Sequence, residues 1–261
     1  MNKMKKDMGF EKDILRLPGQ SVNDELMDLI EEKVDFNLIG ITITTVALIT
    51  LWLGRLLPLK SSLVSVSIVL IISSGVFSYR LFGSVKGIHS LRQGRDGERY
   101  VGQLLNEMRV DGNICFNDVL GDNFNIDHVL IGSKGIYVIE TKAWSKDSSG
   151  GSISYRDNTF RLNGKIIKKN PLDQARANAK WFAQFLQKST GKTFPVQPVV
   201  LFPGWFIERE DTKRALADGV FLLNPKVLKT FVKNSSTKIS NEGLHMAAYH
   251  TSMHIKNSKY N

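Results

Sequence analysis

The chain has 261 residues, a formal net charge of +10 and a single cysteine, with a sequence pI near 9.6. One cysteine excludes an internal disulfide framework and agrees with a reducing compartment. The basic balance suits a partner that carries negative charge, either nucleic acid or an anionic membrane surface, and does not choose between them.

Residues 10–35 predict an amphipathic helix capped by Asn23 or Asp24, with Leu26, Leu29, Ile30 and Val34 on its apolar side. Such a helix lies on a membrane surface or packs on a soluble domain. Residues 37–53 and 61–79 then contain no charged side chain. Segments of these lengths span roughly 26 to 29 Å as helices, close to a bilayer core of about 30 Å. Buried core helices or a signal peptide are the alternatives, but a signal peptide puts its apolar run nearer the start and adds a small-residue cleavage site. Two adjacent runs joined by a short Gly54-to-Lys60 loop predict a transmembrane hairpin over residues 36–80. The many Thr and Ser hydroxyls are expected to bond back to helix carbonyls or across the helix interface. Lys3, Lys5, Lys6, Lys12, Arg16 and Lys33 precede the first run, and Arg80, Lys86, Arg92 and Arg95 follow the second. The loop has only Arg55 and Lys60, so both flanks are expected in the cytoplasm.

About 165 residues lie beyond the membrane part, enough for one globular domain with its own core. From Arg95 onward there are 24 Lys and Arg against 16 Asp and Glu, a net +8. Gly97-Glu98 opens a helical pattern with Val101, Leu104, Leu105 and Met108 at helical spacing. Ile114-Cys-Phe-Asn-Asp-Val reads as a first strand, with Cys115 a small core residue.

The most informative stretch follows: Asp127-His-Val-Leu-Ile-Gly-Ser-Lys-Gly-Ile-Tyr-Val-Ile-Glu140-Thr-Lys142. It predicts two apolar strands joined by a tight Gly132-Ser-Lys-Gly135 turn. If Gly132 pairs with Gly135, Asp127 stands across from Glu140, with Cβ atoms about 5 Å apart. Strand alternation puts Lys142 on the face of Glu140 and His128 on the opposite one, where it reads as structural. Two carboxylates and a lysine on one face of an apolar hairpin are costly to bury without a purpose. A hard cation such as Mg²⁺ takes carboxylate oxygens and can activate a water for phosphodiester hydrolysis beside a lysine. An edge hairpin guarded by a Glu-Lys pair gives the same spacing.

Arg156, Arg161, Lys165, Lys168 and Lys169 are interleaved with Tyr155 and Phe160 around Asn158-Thr and Asn163-Gly turns. This predicts short hairpin strands and a phosphate-contacting flap, against an ordinary solvated hairpin. Asn170-Pro171-Leu-Asp-Gln-Ala opens a long helix with Pro171 near its start. Residues 195–202 and 219–223 read as further strands, with helices from Pro225 and over residues 240–255. Strands alternating with helices predict an α/β sandwich with a mixed sheet. His250 and His254 would share a helical face with His245 nearby, but no Cys or acidic partner stands beside them to complete a metal site. There are no repeats, no phosphate-binding glycine loop and no nucleophile elbow.

The order Gly97-Glu98, Asn125-Ile-Asp127-His-Val-Leu-Ile-Gly, Gly135-Ile-Tyr-Val-Ile-Glu140-Thr-Lys142 and Asn170-Pro171 with Gln174-Ala175 resembles the NERD (nuclease-related) domain. That family is similar in turn to the PD-(D/E)xK restriction endonuclease-like superfamily. The resemblance covers about residues 95–210 of a domain read as 93–261. It implies a restriction endonuclease-like mixed sheet flanked by helices, with Asp127 and Glu140 holding Mg²⁺ or Mn²⁺ and Lys142 as the catalytic lysine. It further implies Glu98 as an additional acid directed at the metal and Gln174 as a helix-borne glutamine near the site. Ile126 departs from the pattern, standing where the superfamily name has proline, a residue that is not a metal ligand.

The expectation is a cell-membrane, two-span protein with both termini cytoplasmic, carrying a metal-dependent nuclease that acts on DNA. Enzymes that cut both strands often work as pairs, so a homo-oligomer is also expected. The alternative is a noncatalytic nucleic-acid-binding or assembly module with a nuclease-like fold. A basic domain that only docks on lipid headgroups leaves the hairpin carboxylates unexplained.

Overall fold

The structure, a computed structural model, describes residues 16–54, 63–121, 123–145, 151–156, 159–167, 170–208, 216–217 and 219–258. Lys3, Lys5, Lys6, Lys12, Arg55, Lys60, Lys168 and Lys169 lie outside the described residues. The chain divides into two compact units, one of residues Val22–Gln93 and one joining Met1–Ser21 to Gly94–Asn261.

The first unit is helical. Helix α1 (Gln20–Leu29) passes through a π-helical turn, Ile30–Asp35, into α2 (Phe36–Gly54), and α3 (Leu63–Glu107) begins in this unit and ends in the second. The cap expected at Asn23 or Asp24 is displaced, because α1 already begins at Gln20. Two helical stretches, Gln20–Leu53 and Ser67–Asp111, are long and apolar enough to cross a membrane. Hydroxyls bond back along the helices as their composition predicts: Thr42 to the Leu38 carbonyl at 2.8 Å and Ser73 to the Val69 carbonyl at 2.8 Å. The helices approach closely at Gly40, where an added Cβ would stand 2.6 Å from the Phe77 ring.

Gly97 and Glu98 do not open a helix as the pattern predicts; they lie inside α3. The glycine serves close packing instead, since a Cβ on Gly97 would meet the Ala143 Cβ at 2.4 Å. Spacing alone cannot distinguish a glycine that stops a helix from one that admits a neighbour.

The second unit is an α/β sandwich. Strands β1 (Ile114–Leu120), β2 (Asn125–Gly132) and β3 (Gly135–Thr141) form an antiparallel meander. A small second sheet follows from β4 (Ser152–Arg156), β5 (Thr159–Leu162) and β6 (Lys165–Ile167). Helix α4 (Pro171–Thr190) then leads to β7 (Val196–Leu201), which pairs parallel with β3. β8 (Phe206–Ile207) joins the second sheet, while β9 (Leu216–Ala217) and β10 (Val220–Leu223) complete the first. The order β1-β2-β3-β7-β10-β9 is therefore a mixed six-stranded sheet. Helices α5 (Pro225–Lys233) and α6 (Asn241–Asn257) end the described chain.

Strand alternation divides the core. Val129, Ile131, Ile136 and Val138 pack on Phe182 and Leu186 of α4 and Leu244 and Ile255 of α6, and Ile126 joins them out of step with the alternation. Cys115, Leu130, Tyr137 and Ile139 face the opposite way, onto Val101 and Leu105 of α3, Met108 in the 3-10 turn that follows it, and Leu228 and Val232 of α5. Burial pushes the Cys115 thiol up to about 12, which leaves it an inert core group. A third cluster joins the second sheet to the first through Ile153, Phe160, Phe202 and Trp205, beside Leu172 and Ala175 at the start of α4.

Candidate active site

The hairpin turn sets the register. Gly132 pairs with Gly135 and the pairing continues to His128 with Ile139, with Asp127 and Glu140 the next residues outward on the two strands. Glu140 lies on the α4 face, where Asn178 reaches it, and its charge bears on Asp127. The Asp127 carboxylate accepts a 2.6 Å hydrogen bond from the Thr141 backbone N–H. The Lys142 backbone N–H donates to the Leu201 carbonyl at 2.8 Å, which extends the strand by one residue and returns Lys142 to the Glu140 face.

Lys142 Nζ reaches Glu140 Oε1 at 2.7 Å and Gln174 Oε1 at 3.1 Å. Helix α4 supplies Gln174 because its N-terminus is fixed here: the Asn170 side chain accepts from the Leu172 backbone N–H at 3.0 Å, and Pro171 holds the first position. One turn on, Asn178 Nδ2 lies 3.3 Å from Glu140 Oε2 and is itself buried. The sequence reading missed Asn178. Its four-residue offset from Gln174 on one helix face is the signal that could have found it.

Glu98 comes from α3 and, like Asp127 and Glu140, is buried; the charges of these acids bear on one another. Its carboxyl is raised to about 7, first by burial and then by the negative charges of Asp118 and Glu140; Lys142 and the Gly19 backbone N–H pull the other way. Burial likewise raises Asp127 well above the ordinary carboxylate range, reinforced by Glu140 and Glu98. Glu140 is also raised by burial, with Lys142 opposing. Glu98 Oε2 is buried and has no hydrogen-bond partner among the described residues.

This donor set fits a hard divalent cation, which would relieve the repulsion among ionised carboxylates and give the orphaned oxygen a partner. Among the described residues no three His, Cys, Asp or Glu side chains are already gathered into a ready metal cage. Mg²⁺ needs none, since it commonly keeps several waters and takes one or two carboxylates.

His128 is fully buried on the opposite face, 2.9 Å from Asn117 Oδ1, and burial lowers its pKa to about 3. His254 Nε2 lies 2.6 Å from the Leu120 carbonyl, a structural contact.

The basic residues of the second sheet divide between its faces. Arg161 pairs with Ser154 and Arg156 with Thr159, which puts Arg156 and Arg161 on one face. Lys165 pairs with Leu162 on the other face, around an Asn163-Gly164 turn with φ of 47° and 76°.

No curated protein and no solved structure matches the chain. A family model does match: the model of the nuclease-related domain, NERD, fits residues 93–203, the stretch that holds Glu98, Asp127, Glu140, Lys142 and Gln174.

Proposed function

We propose that the protein is a membrane-anchored, metal-dependent nuclease that hydrolyses phosphodiester bonds, with DNA as its substrate. The observation that carries the reading is the convergence of Glu98, Asp127 and Glu140, all buried and raised, beside Lys142 in a nuclease-related domain.

Asp127 and Glu140 would hold Mg²⁺ or Mn²⁺, with Glu98 assisting from α3. When bound, such an ion polarises a phosphoryl oxygen and lowers the pKa of a water. The protein's own groups do the rest. Lys142 presents its ammonium on the carboxylate face, where it orients the attacking water or offsets charge gathering on the phosphate. Gln174 accepts a hydrogen bond from that ammonium and fixes its direction. Asn178 holds the second oxygen of Glu140.

The membrane reading is supported by the apolar side chains that α2 and α3 leave exposed, among them Ile39, Ile43, Val46 and Leu53, and Ile68, Ile71, Ile72 and Val76. Surfaces of this kind call for a nonaqueous partner. The flanking charges orient both termini to the cytoplasm.

A second reading, a noncatalytic nucleic-acid-binding module, draws on the Lys142–Glu140 ion pair, which occupies an oxygen that a metal would need. The two readings separate when the full chain is incubated with supercoiled, linear and single-stranded DNA and with RNA, in Mg²⁺, Mn²⁺ or EDTA. Cleavage that EDTA abolishes supports the nuclease; binding without cleavage in every metal supports the module.

A further inference from the structure

Asp118 is fully buried, and its charge bears on Glu98. It interrupts β1 in the left-handed region at φ 51°, a backbone conformation costly for a residue other than glycine unless its surroundings hold it. Four groups do so. Arg16 Nε donates to Oδ2 at 2.7 Å, the Ser21 backbone N–H donates to Oδ2 at 3.0 Å, the Ser21 hydroxyl donates to Oδ1 at 2.6 Å, and Asn125 Nδ2 donates to Oδ1 at 2.8 Å. Two of these partners, Arg16 and Ser21, come from a short segment about 100 residues away in sequence. Asp118 thereby caps the first turn of α1, whose early N–H groups have no partner within the helix.

That segment is seated closely on α3. A Cβ on Gly102 would stand 2.3 Å from Pro18 Cγ, and one on Gly19 would stand 3.1 Å from the Arg95 carbonyl oxygen. Gly19 itself has φ +69°, a conformation suited to glycine. Arg95 and Gly102 stand one turn before and one turn after Glu98 on α3, so Pro18 and Gly19, between the anchors at Arg16 and Ser21, lie over the turn that carries Glu98; the Gly19 backbone N–H bears on the Glu98 carboxyl and favours its charged form.

We propose that residues 16–21 are a positioning clasp for the candidate metal site: anchored on Asp118, they aim the Gly19 N–H at Glu98 and fix that carboxylate toward Asp127 and Glu140. Arg16 also places a cation beside Asp118, whose negative charge otherwise bears on Glu98. Asp118 and the clasp touch neither substrate nor metal; they act through Glu98. This inference rests on the reading of Glu98 as an acid of the metal site.

The test is Mn²⁺ affinity of the full chain in detergent, followed by the electron-spin signal of free Mn²⁺ alongside a thermal melt. Gly19→Ala adds one methyl group in a strained position and leaves the Arg16–Asp118 pair in place. It is expected to weaken Mn²⁺ binding about 10- to 100-fold, the usual loss when a group that supports a metal ligand is removed. Arg16→Ala should do the same. If it unfolds because Asp118 is left unpaired, Arg16→Ala/Asp118→Asn removes the orphaned charge and takes its place. In a Glu98→Gln background Gly19→Ala should have no further effect on Mn²⁺ affinity, an outcome that a merely structural role does not produce. Lys192→Ala, on an exposed ion pair with Glu242, is the unaffected control. Gly19→Ala with Mn²⁺ affinity within twofold of the parent overturns the clasp while Glu140→Ala still loses the metal. A parent chain that binds no Mn²⁺, or a Glu140→Ala variant that binds as the parent does, overturns the metal reading and the clasp with it.

Discussion

Lys142 Nζ lies 2.7 Å from Glu140 Oε1, two residues along the same strand face, and the pair is only partly open to water: the Glu140 side chain is 3% exposed and the Lys142 side chain 25%. A buried carboxylate flanked by one movable cation can exchange that cation for a metal. The two residues therefore have separable tasks, Glu140 to bind and Lys142 to act on the reacting water. Glu140→Ala is expected to abolish both Mn²⁺ binding and cleavage. Lys142→Ala should keep or tighten metal binding while kcat falls about 10²- to 10⁴-fold, the range for loss of a positioned proton-transfer or charge-stabilising group. Equal loss of metal binding in both variants contradicts the division.

Glu98 makes stability depend on pH in a stated direction. Its carboxyl has an ordinary value of 4.5 and sits at about 7 in the fold. Between these values the folded chain keeps a proton that the unfolded chain has lost, so metal-free stability falls as pH rises from about 4.5 through 7. Glu98→Gln removes that titration. At pH 8 without metal the variant should be more stable than the parent, by on the order of 1–3 kcal/mol, and the gap should close by pH 4. Thermal melts of both proteins across this range check it; a gap that does not change with pH contradicts it.

Gln174 and Asn178 reach the site from one face of α4 but touch different partners. Gln174→Ala releases the Lys142 ammonium and should lower kcat about tenfold while leaving Mn²⁺ affinity alone, as expected for loss of a transition-state-only contact. Asn178→Ala leaves Glu140 Oε2 short of a donor and should destabilise the fold by about 1–2 kcal/mol. Steady-state kinetics with denaturant unfolding separates the two.

How far the sequence foretold this site depends on the range of each interaction. The Gly132–Gly135 register is in the structure as local spacing foretells it, and the strand period of two puts Glu140 and Lys142 side by side. The start of α4 was equally legible, since Asn170-Pro171 states the cap and the first helical position. Glu98 was legible as a residue but not as an element, because Gly97 marks a packing contact with Ala143 inside α3 and not a helix start. The Arg16–Asp118 pair was invisible: it joins residues 102 apart, and nothing in either neighbourhood encodes the other.

The second sheet offers a test of nucleic-acid contact that depends on geometry. Arg156 and Arg161 share one face and Lys165 occupies the other, so a strand lying on one face meets the first two or the third. Each phosphate contact removed should lower the salt slope of DNA binding by about 1. Arg156→Ala and Arg161→Ala are expected to behave alike and Lys165→Ala to differ, measured by fluorescence anisotropy over a salt series. Three equal effects contradict a one-faced interface.

The measurement that tests the central claim most directly is DNA cleavage by the full chain across a Mg²⁺ and Mn²⁺ titration, run beside Lys142→Ala with Mn²⁺ binding recorded on the same samples. The account predicts cleavage that rises with metal occupancy in the parent, is abolished by EDTA, and is lost in Lys142→Ala at full occupancy. Cleavage that persists in Lys142→Ala, or a parent that fills with metal and cuts nothing, contradicts it.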